Sequence, residues 1–205
     1  MYIMSIIKKR AIQLFLVWLL AFVPVFSVAE HPDMDNGIDP SGGWRSRLGV
    51  LSLMLCGDTL SFSYSSVFHS ATHICDSAGV AGLVANNEYH YVDDQGTVAF
   101  IVNDEGVNLK LISGSASFCG AEWSGEHFSR DGFEPLEIRE VDADKAFFFV
   151  VMTSPPDRRK GYVLRGDTLE TAPCRHEGSE KYLLARFRGA NGGCTAGLIE
   201  KDSLQ

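Results

Sequence analysis

Leu51-Ser52-Leu53-Met54-Leu55-Cys56-Gly57-Asp58-Thr59-Leu60-Ser61-Phe62-Ser63-Tyr64 is the stretch that decides the fold class. Leu51, Leu53 and Leu55 recur every second residue, and Leu60, Phe62 and Tyr64 do the same with serines between them. That period belongs to strands, because successive side chains of an extended chain point to opposite faces of a sheet. Gly57-Asp58-Thr59 supplies turn-forming residues between the two runs, so the stretch predicts a β-hairpin.

The same reading extends outward. Ala81–Val84, then Tyr89 and Tyr91, continue the strand pattern. Asp93-Asp94-Gln95-Gly96 turns into the apolar run Thr97–Val102, and Asp104-Glu105-Gly106 turns into the alternating Val107, Leu109 and Leu111. No helical period lasts three turns. The expectation is an all-β chain whose first folded region, 44–134, is a small antiparallel barrel or sandwich. Residues 113–134 read as a Gly/Ser-rich loop carrying Phe118, Trp123 and Phe128, with the boundary at Asp131-Gly132 and Pro135. A second region, 136–205, holds the apolar strand Ala146–Val151 and a polar loop around Pro155 to Lys160. Further short strands follow at Tyr162–Glu170, Lys181–Phe187 and Thr195–Ile199.

Two resemblances follow. The order Ala146–Met152, a 153–161 loop, Tyr162-Val163-Leu164-Arg165-Gly166-Asp167, Lys181–Phe187 and Thr195-Ala196-Gly197-Leu198-Ile199 closing at Leu204 resembles bacterial SH3-like domains. That resemblance implies an SH3-like barrel that binds peptides or wall material, or mediates contacts. Leu198 stands where many members carry Trp, which removes an aromatic from any ligand groove. In the first region, three features are similar to lysozyme-inhibitor-like β domains of envelope proteins. They are His73-Ile74-Cys75 to Gly79-Val80-Ala81, the Tyr-rich strand, and Cys119-Gly120 with Gly125 and Phe128.

The N-terminus addresses the compartment. Lys8, Lys9 and Arg10 precede an uncharged apolar run from Ala11 to Phe26, broken by Pro24 and ending in Ser27-Val28-Ala29. This is the layout of a signal peptide over 1–29. The apolar run is near the short limit for a spanning helix, and Pro24 with the small-residue exit favours cleavage. A soluble periplasmic or secreted product is expected, with no stable membrane insertion. Residues 30–43, rich in Asp, Gly, Asn and Pro, read as a flexible lead-in. The whole chain has 18 Lys+Arg against 26 Asp+Glu and a net charge of −8. Losing the basic leader makes the remainder more acidic still. That excludes nucleic acid as a natural partner and suits a basic protein.

Cys56, Cys75, Cys119, Cys174 and Cys194 all follow the leader, and exported cysteines are usually oxidised. Spacing does not fix the pairing, and the odd count leaves one over. Keeping each bridge inside one region selects Cys75–Cys119 and Cys174–Cys194, with Cys56 as a small buried residue. No CxxC exists for zinc. His69, His73 and Cys75 would need a further ligand from elsewhere. No Gly-x-Ser-x-Gly elbow is present, and a Cys119–His127 thiol pair competes with the bridge. No catalytic, metal or cofactor residues are therefore assigned, and the chain is expected not to be an enzyme. Candidate partner-binding residues are Phe118, Trp123 and Phe128 in the 113–128 loop, and Arg158 and Arg159 in the basic cluster of the second region. The expectation is an exported envelope binding protein that recognises cell wall or inhibits a lysozyme-like wall hydrolase. The alternatives are a small envelope hydrolase with an SH3-like targeting domain, or a structural envelope subunit.

Overall fold

The computed structural model describes residues 37–68, 73–120, 122–151, 157–175 and 180–205. The signal-peptide reading of 1–29 and the first part of the lead-in lie outside these residues. Residues from Gly37 to Gln205 form one compact unit, built of two antiparallel sheets.

The first sheet is an up-and-down meander. It comprises β1 (Gly42–Arg45), β2 (Gly49–Cys56), β3 (Thr59–Phe68), β4 (His73–Ala85), β5 (Glu88–Val92), β6 (Gly96–Asn103), β7 (Gly106–Gly114) and β8 (Gly125–Ser129), with β9 (Phe133–Glu134) returning to pair with β1. The hairpin read from Leu51–Tyr64 is present, with Leu51 opposite Tyr64 and Leu53 opposite Phe62. The sheet curls until its ends nearly meet, and β8 joins β9 through the single 3-10 turn Arg130–Gly132. At the seam, where no strand ladder runs, Glu126 of β8 accepts hydrogen bonds from the Ser46 and Tyr64 hydroxyls, the latter at 2.6 Å. Arg130 lies over the Trp44 and Phe133 rings beside it.

A barrel of this strand number has an interior that side chains just fill. Here the inward residues alternate along every strand and include fully buried Phe62, Tyr64, Phe100 and Phe128. Gly79 makes room for them, because a Cβ there would sit 2.8 Å from the Tyr91 ring and 2.9 Å from Phe62. Those two rings meet edge to face at 5.2 Å, a favourable quadrupole geometry.

The second sheet runs in the order β10 (Glu137–Glu140), β13 (Thr168–Pro173), β14 (Tyr182–Arg188), β15 (Cys194–Glu200), β11 (Lys145–Phe149), β12 (Arg158–Leu164). One face buries Val141, Ala146, Phe148, Val163, Leu169 and Ile199 together. Residues from all its strand regions meet there, so this sheet also curves around its own core. A Val141–Leu204 bridge ties its start to the chain end.

Its other face lies on the barrel. Leu183 and Ala185 of β14 point to the sheet's own core, while Leu184 and Arg186 point the opposite way. Leu184, Ala172, Ala196 and Leu198 bury Met54 from the outer side of β2. The outer serines Ser52, Ser61 and Ser63 are covered as well. Small side chains on β2 and β3 let the second sheet approach closely.

The lead-in expectation is corrected from Ile38 onward. Ile38 packs on the barrel core, Asp39 and Ser41 both bond Arg186, and Gly42–Arg45 is a strand. The physical reason is the side-chain pairing of Asp39, which composition does not reveal.

Cysteine pairing is corrected in part. Cys75–Cys119 forms, but Cys194 bonds Cys56, 138 residues away, instead of Cys174. Cys174 follows Pro173, which stands opposite Leu183, whereas Cys194 stands opposite Arg188. At roughly 3.3 Å per residue the two cysteines sit about 20 Å apart along β14, far beyond disulfide reach. The Cys174 thiol bonds the Ser63 hydroxyl at 3.5 Å.

Candidate binding surface

Of the three aromatic candidates of the 113–128 loop, Trp123 and Phe128 are buried and Phe118 is half-buried. Phe128 lies on β8 and is wholly buried, Trp123 is 3 % exposed, and Phe118 packs against both Tyr64 and Trp123. Burial takes Trp123 and Phe128 away from any partner, and with Phe118 packed on them they fill part of the barrel core. The Cys75–Cys119 bridge and the Ala116–Gly120 bridge fold the loop inward. The Trp123 and Tyr64 rings meet edge to face inside the core, with centroids 6.3 Å apart. Burial and the Glu126 carboxylate push the Tyr64 phenol far above its ordinary value, so it stays a neutral donor. The thiol-enzyme alternative falls with the same bridge, since Cys119 has no thiol to ionise.

Arg158 and Arg159 lie on a strand, not in a polar loop, and the strand separates them. Along β12 Val163 enters the sheet's own core, half-buried Arg159 turns toward the junction with the barrel, and Arg158, Lys160, Tyr162 and Leu164 face outward. The register puts Lys145 opposite Leu164 and Phe147 opposite Tyr162 before a bulge brings Phe149 opposite Arg158. The outer face of the β11–β12 hairpin therefore gathers three cations and two aromatic rings. Lys145 Nζ stands 3.9 Å from the Tyr162 ring centre, and the Arg158 guanidinium 4.4 Å from that of Phe147. The rings meet at 6.0 Å. Such stacking holds long, flexible cations in place. Tyr162 and Leu164 remain about half exposed. Beyond Lys145 the face borders a shallow cleft of about 230 Å³ whose far rim carries Glu200 and Asp202. Among the described residues β12 pairs only with β11, so this face ends at an open sheet edge.

Sequence reasoning missed Lys145, Phe147 and Tyr162. Their alternation with Ala146, Phe148 and Val163 was a usable signal, because it assigns them to the side opposite the core.

The junction between the sheets is polar at its centre. The Arg186 guanidinium, 2 % exposed, bonds Glu170 at 2.6 Å, Asp39 and Ser41 at 3.0 Å each, and the Leu55 carbonyl at 2.6 Å. Burial raises the Asp39 and Glu170 carboxyls, but hydrogen bonds from Ser41 and Arg186 to Asp39, and from Arg186 and Arg188 to Glu170, outweigh it. Both are held below their ordinary values. This cluster is structural, joining three segments of the chain.

Among the described residues no group of three His, Cys, Asp or Glu side chains converges as a metal site, and His69 lies outside them. No helix among the described residues is long and apolar enough to cross a membrane. Comparison with known protein families, curated proteins and solved structures finds no match for this chain.

Proposed function

We propose that this chain is an exported, non-enzymatic binding protein of the bacterial cell envelope, periplasmic or secreted. Its target is an anionic cell-wall polymer, taken on the outer face of β11–β12. The observation that carries the reading is the pair of ring-stacked cations, Lys145 on Tyr162 and Arg158 on Phe147. On a chain of net charge −8, a concentrated basic face is a local exception to the surrounding field. Cations fixed by rings lose less rotamer freedom when an anion arrives, which favours binding. Arg158 and Lys160 are spaced two residues apart on one side of a strand, about 7 Å, a repeat suited to an extended polymer with regularly spaced charges. The SH3-like resemblance of this region points the same way. The filled barrel leaves recognition to the surface.

Co-sedimentation with purified wall tests it. Wild-type protein should pellet, with less pelleting as salt rises, and the double variant Arg158→Glu/Lys160→Glu should stay in the supernatant. Equal pelleting of both proteins would sink the reading.

The second reading, inhibition of a basic wall hydrolase, draws on the overall acidity, which would steer such a partner. It has to use a surface other than Trp123. An assay with added lysozyme-type hydrolase separates it: inhibition without wall pelleting would favour it.

A further inference from the structure

Arg159 of β12 belongs to a second feature, apart from the ring-stacked cations of the outer face. A cleft of about 270 Å³ opens where the barrel meets the second sheet. Its lining includes Thr59, Ser61 and Val80 from the barrel, Arg159 from β12, and Thr195 and Ala196 from β15. The Cys56–Cys194 disulfide forms part of its wall and fixes the two sheets on either side.

Three side chains there have donor capacity left over. Arg159 is half-buried and donates one hydrogen bond, from Nη1 to the Ala196 carbonyl at 2.9 Å. The ion pairs of the described residues engage Arg45, Arg139, Arg165, Arg175, Arg186 and Arg188, and none engages Arg159. Ser61 is 3 % exposed, and among the described residues neither its hydroxyl nor that of Thr195 has a hydrogen-bond partner. A partly desolvated guanidinium with no counter-ion is unfavourable in isolation. An oxyanion held by it and by two hydroxyls would satisfy all three groups. Val80, Ala196 and the disulfide give the remaining wall an apolar character.

We infer that this cleft is a binding site for a small oxyanion, a carboxylate or phosphate group with a short apolar attachment. Arg159 supplies the charge, and Ser61 and Thr195 supply the hydrogen bonds. The donors are arranged on two sheets that a covalent bond holds together, so the site exists only in the joined molecule.

Calorimetric titration of the full folded chain with inorganic phosphate and with N-acetyl-dialanine tests the inference. Binding of either probe at millimolar concentration is expected, and which one binds tells phosphate from carboxylate. Arg159→Met should weaken that binding about ten- to a hundredfold, the range for a charge-assisted hydrogen bond. Thr195→Val keeps the side-chain shape and should weaken it about fivefold, which keeps the test decisive if the arginine variant does not fold. Failure of both probes to bind, or affinity unchanged in both variants, would overturn the inference. Wall pelleting is measured separately, so failure here leaves the outer-face reading standing.

Discussion

Trp123 lies in a segment that reads as a Gly/Ser-rich loop and Tyr162 opens one that reads as a short strand, yet the first is 3 % exposed and the second 49 %. Trp123 belongs to a loop that a disulfide folds into the barrel, where its ring fills volume against Tyr64 and Phe118. Tyr162 belongs to an edge strand whose inner positions already fill the core, so its ring is left outside beneath Lys145. The first region consigns its aromatics to its own interior, and the second displays them with cations. Aromatic content by itself says nothing about recognition. The closure of the surrounding sheet decides it.

The sharpest way to break this comparison is to separate the two regions. In the chain-entropy view a bridge stabilises by restricting the unfolded chain, more so for a longer loop. Cys56→Ser should cost about 5 kcal/mol and Cys75→Ser about 4 kcal/mol, measured by urea denaturation under non-reducing conditions. A smaller loss for Cys56→Ser would mean that the sheets are held mainly by packing. Next, Arg186→Met removes the cation shared by Asp39 and Glu170 and should cost about 3–5 kcal/mol. Trp123→Ala should cost a similar 3–5 kcal/mol as a large-to-small core change. A stable Trp123→Ala protein would return that residue to the surface.

A smaller effect is expected from acid. Asp39 and Glu170 both have lowered folded values. Their contribution is therefore complete above their unfolded values near pH 4 and is lost as pH falls through the lower folded ones. Thermal melts should be flat down to about pH 5 and then decline. The decline should be shallower in Arg186→Met, since the arginine helps to hold both carboxyls down. The smallest effect belongs to Tyr162→Ala, within about 0.5 kcal/mol in stability, while wall pelleting falls. Unchanged pelleting would reduce the ring to a bystander and leave the cations as the whole of the surface.

The strands were legible because their signal is local. Leu51, Leu53, Leu60, Phe62, Tyr89 and Tyr91 announce their side of the sheet within a few residues, and all are buried where period two places them. Met54 shows where that logic ends. Its period assigns it to the outside of the barrel, and it is fully buried by a sheet formed more than a hundred residues later. The same distance hid the Cys56–Cys194 bond, because no spacing rule connects residues whose nearness depends on two sheets docking. Arg158 and Arg159 were legible as a basic cluster but not as opposite faces, since their place on a strand is set by pairing with β11 rather than by an alternating pattern of their own.

On the proposed export route, the Cys56–Cys194 bond also imposes an order of events. A chain delivered from its N-terminus into an oxidising compartment presents Cys56 first and Cys194 last. Cys75, Cys119 and Cys174 all become available in between. The earliest thiol to arrive must wait for the latest, and joining neighbours in order of appearance would trap it with Cys75. Folding of the β2–β4 part of the barrel places Cys75 inside, facing Cys119, while Cys56 stays on the outer side toward the second sheet. The inside–outside alternation of a strand thus acts as a timekeeper, keeping the first thiol away from the wrong partner until the right one has been made.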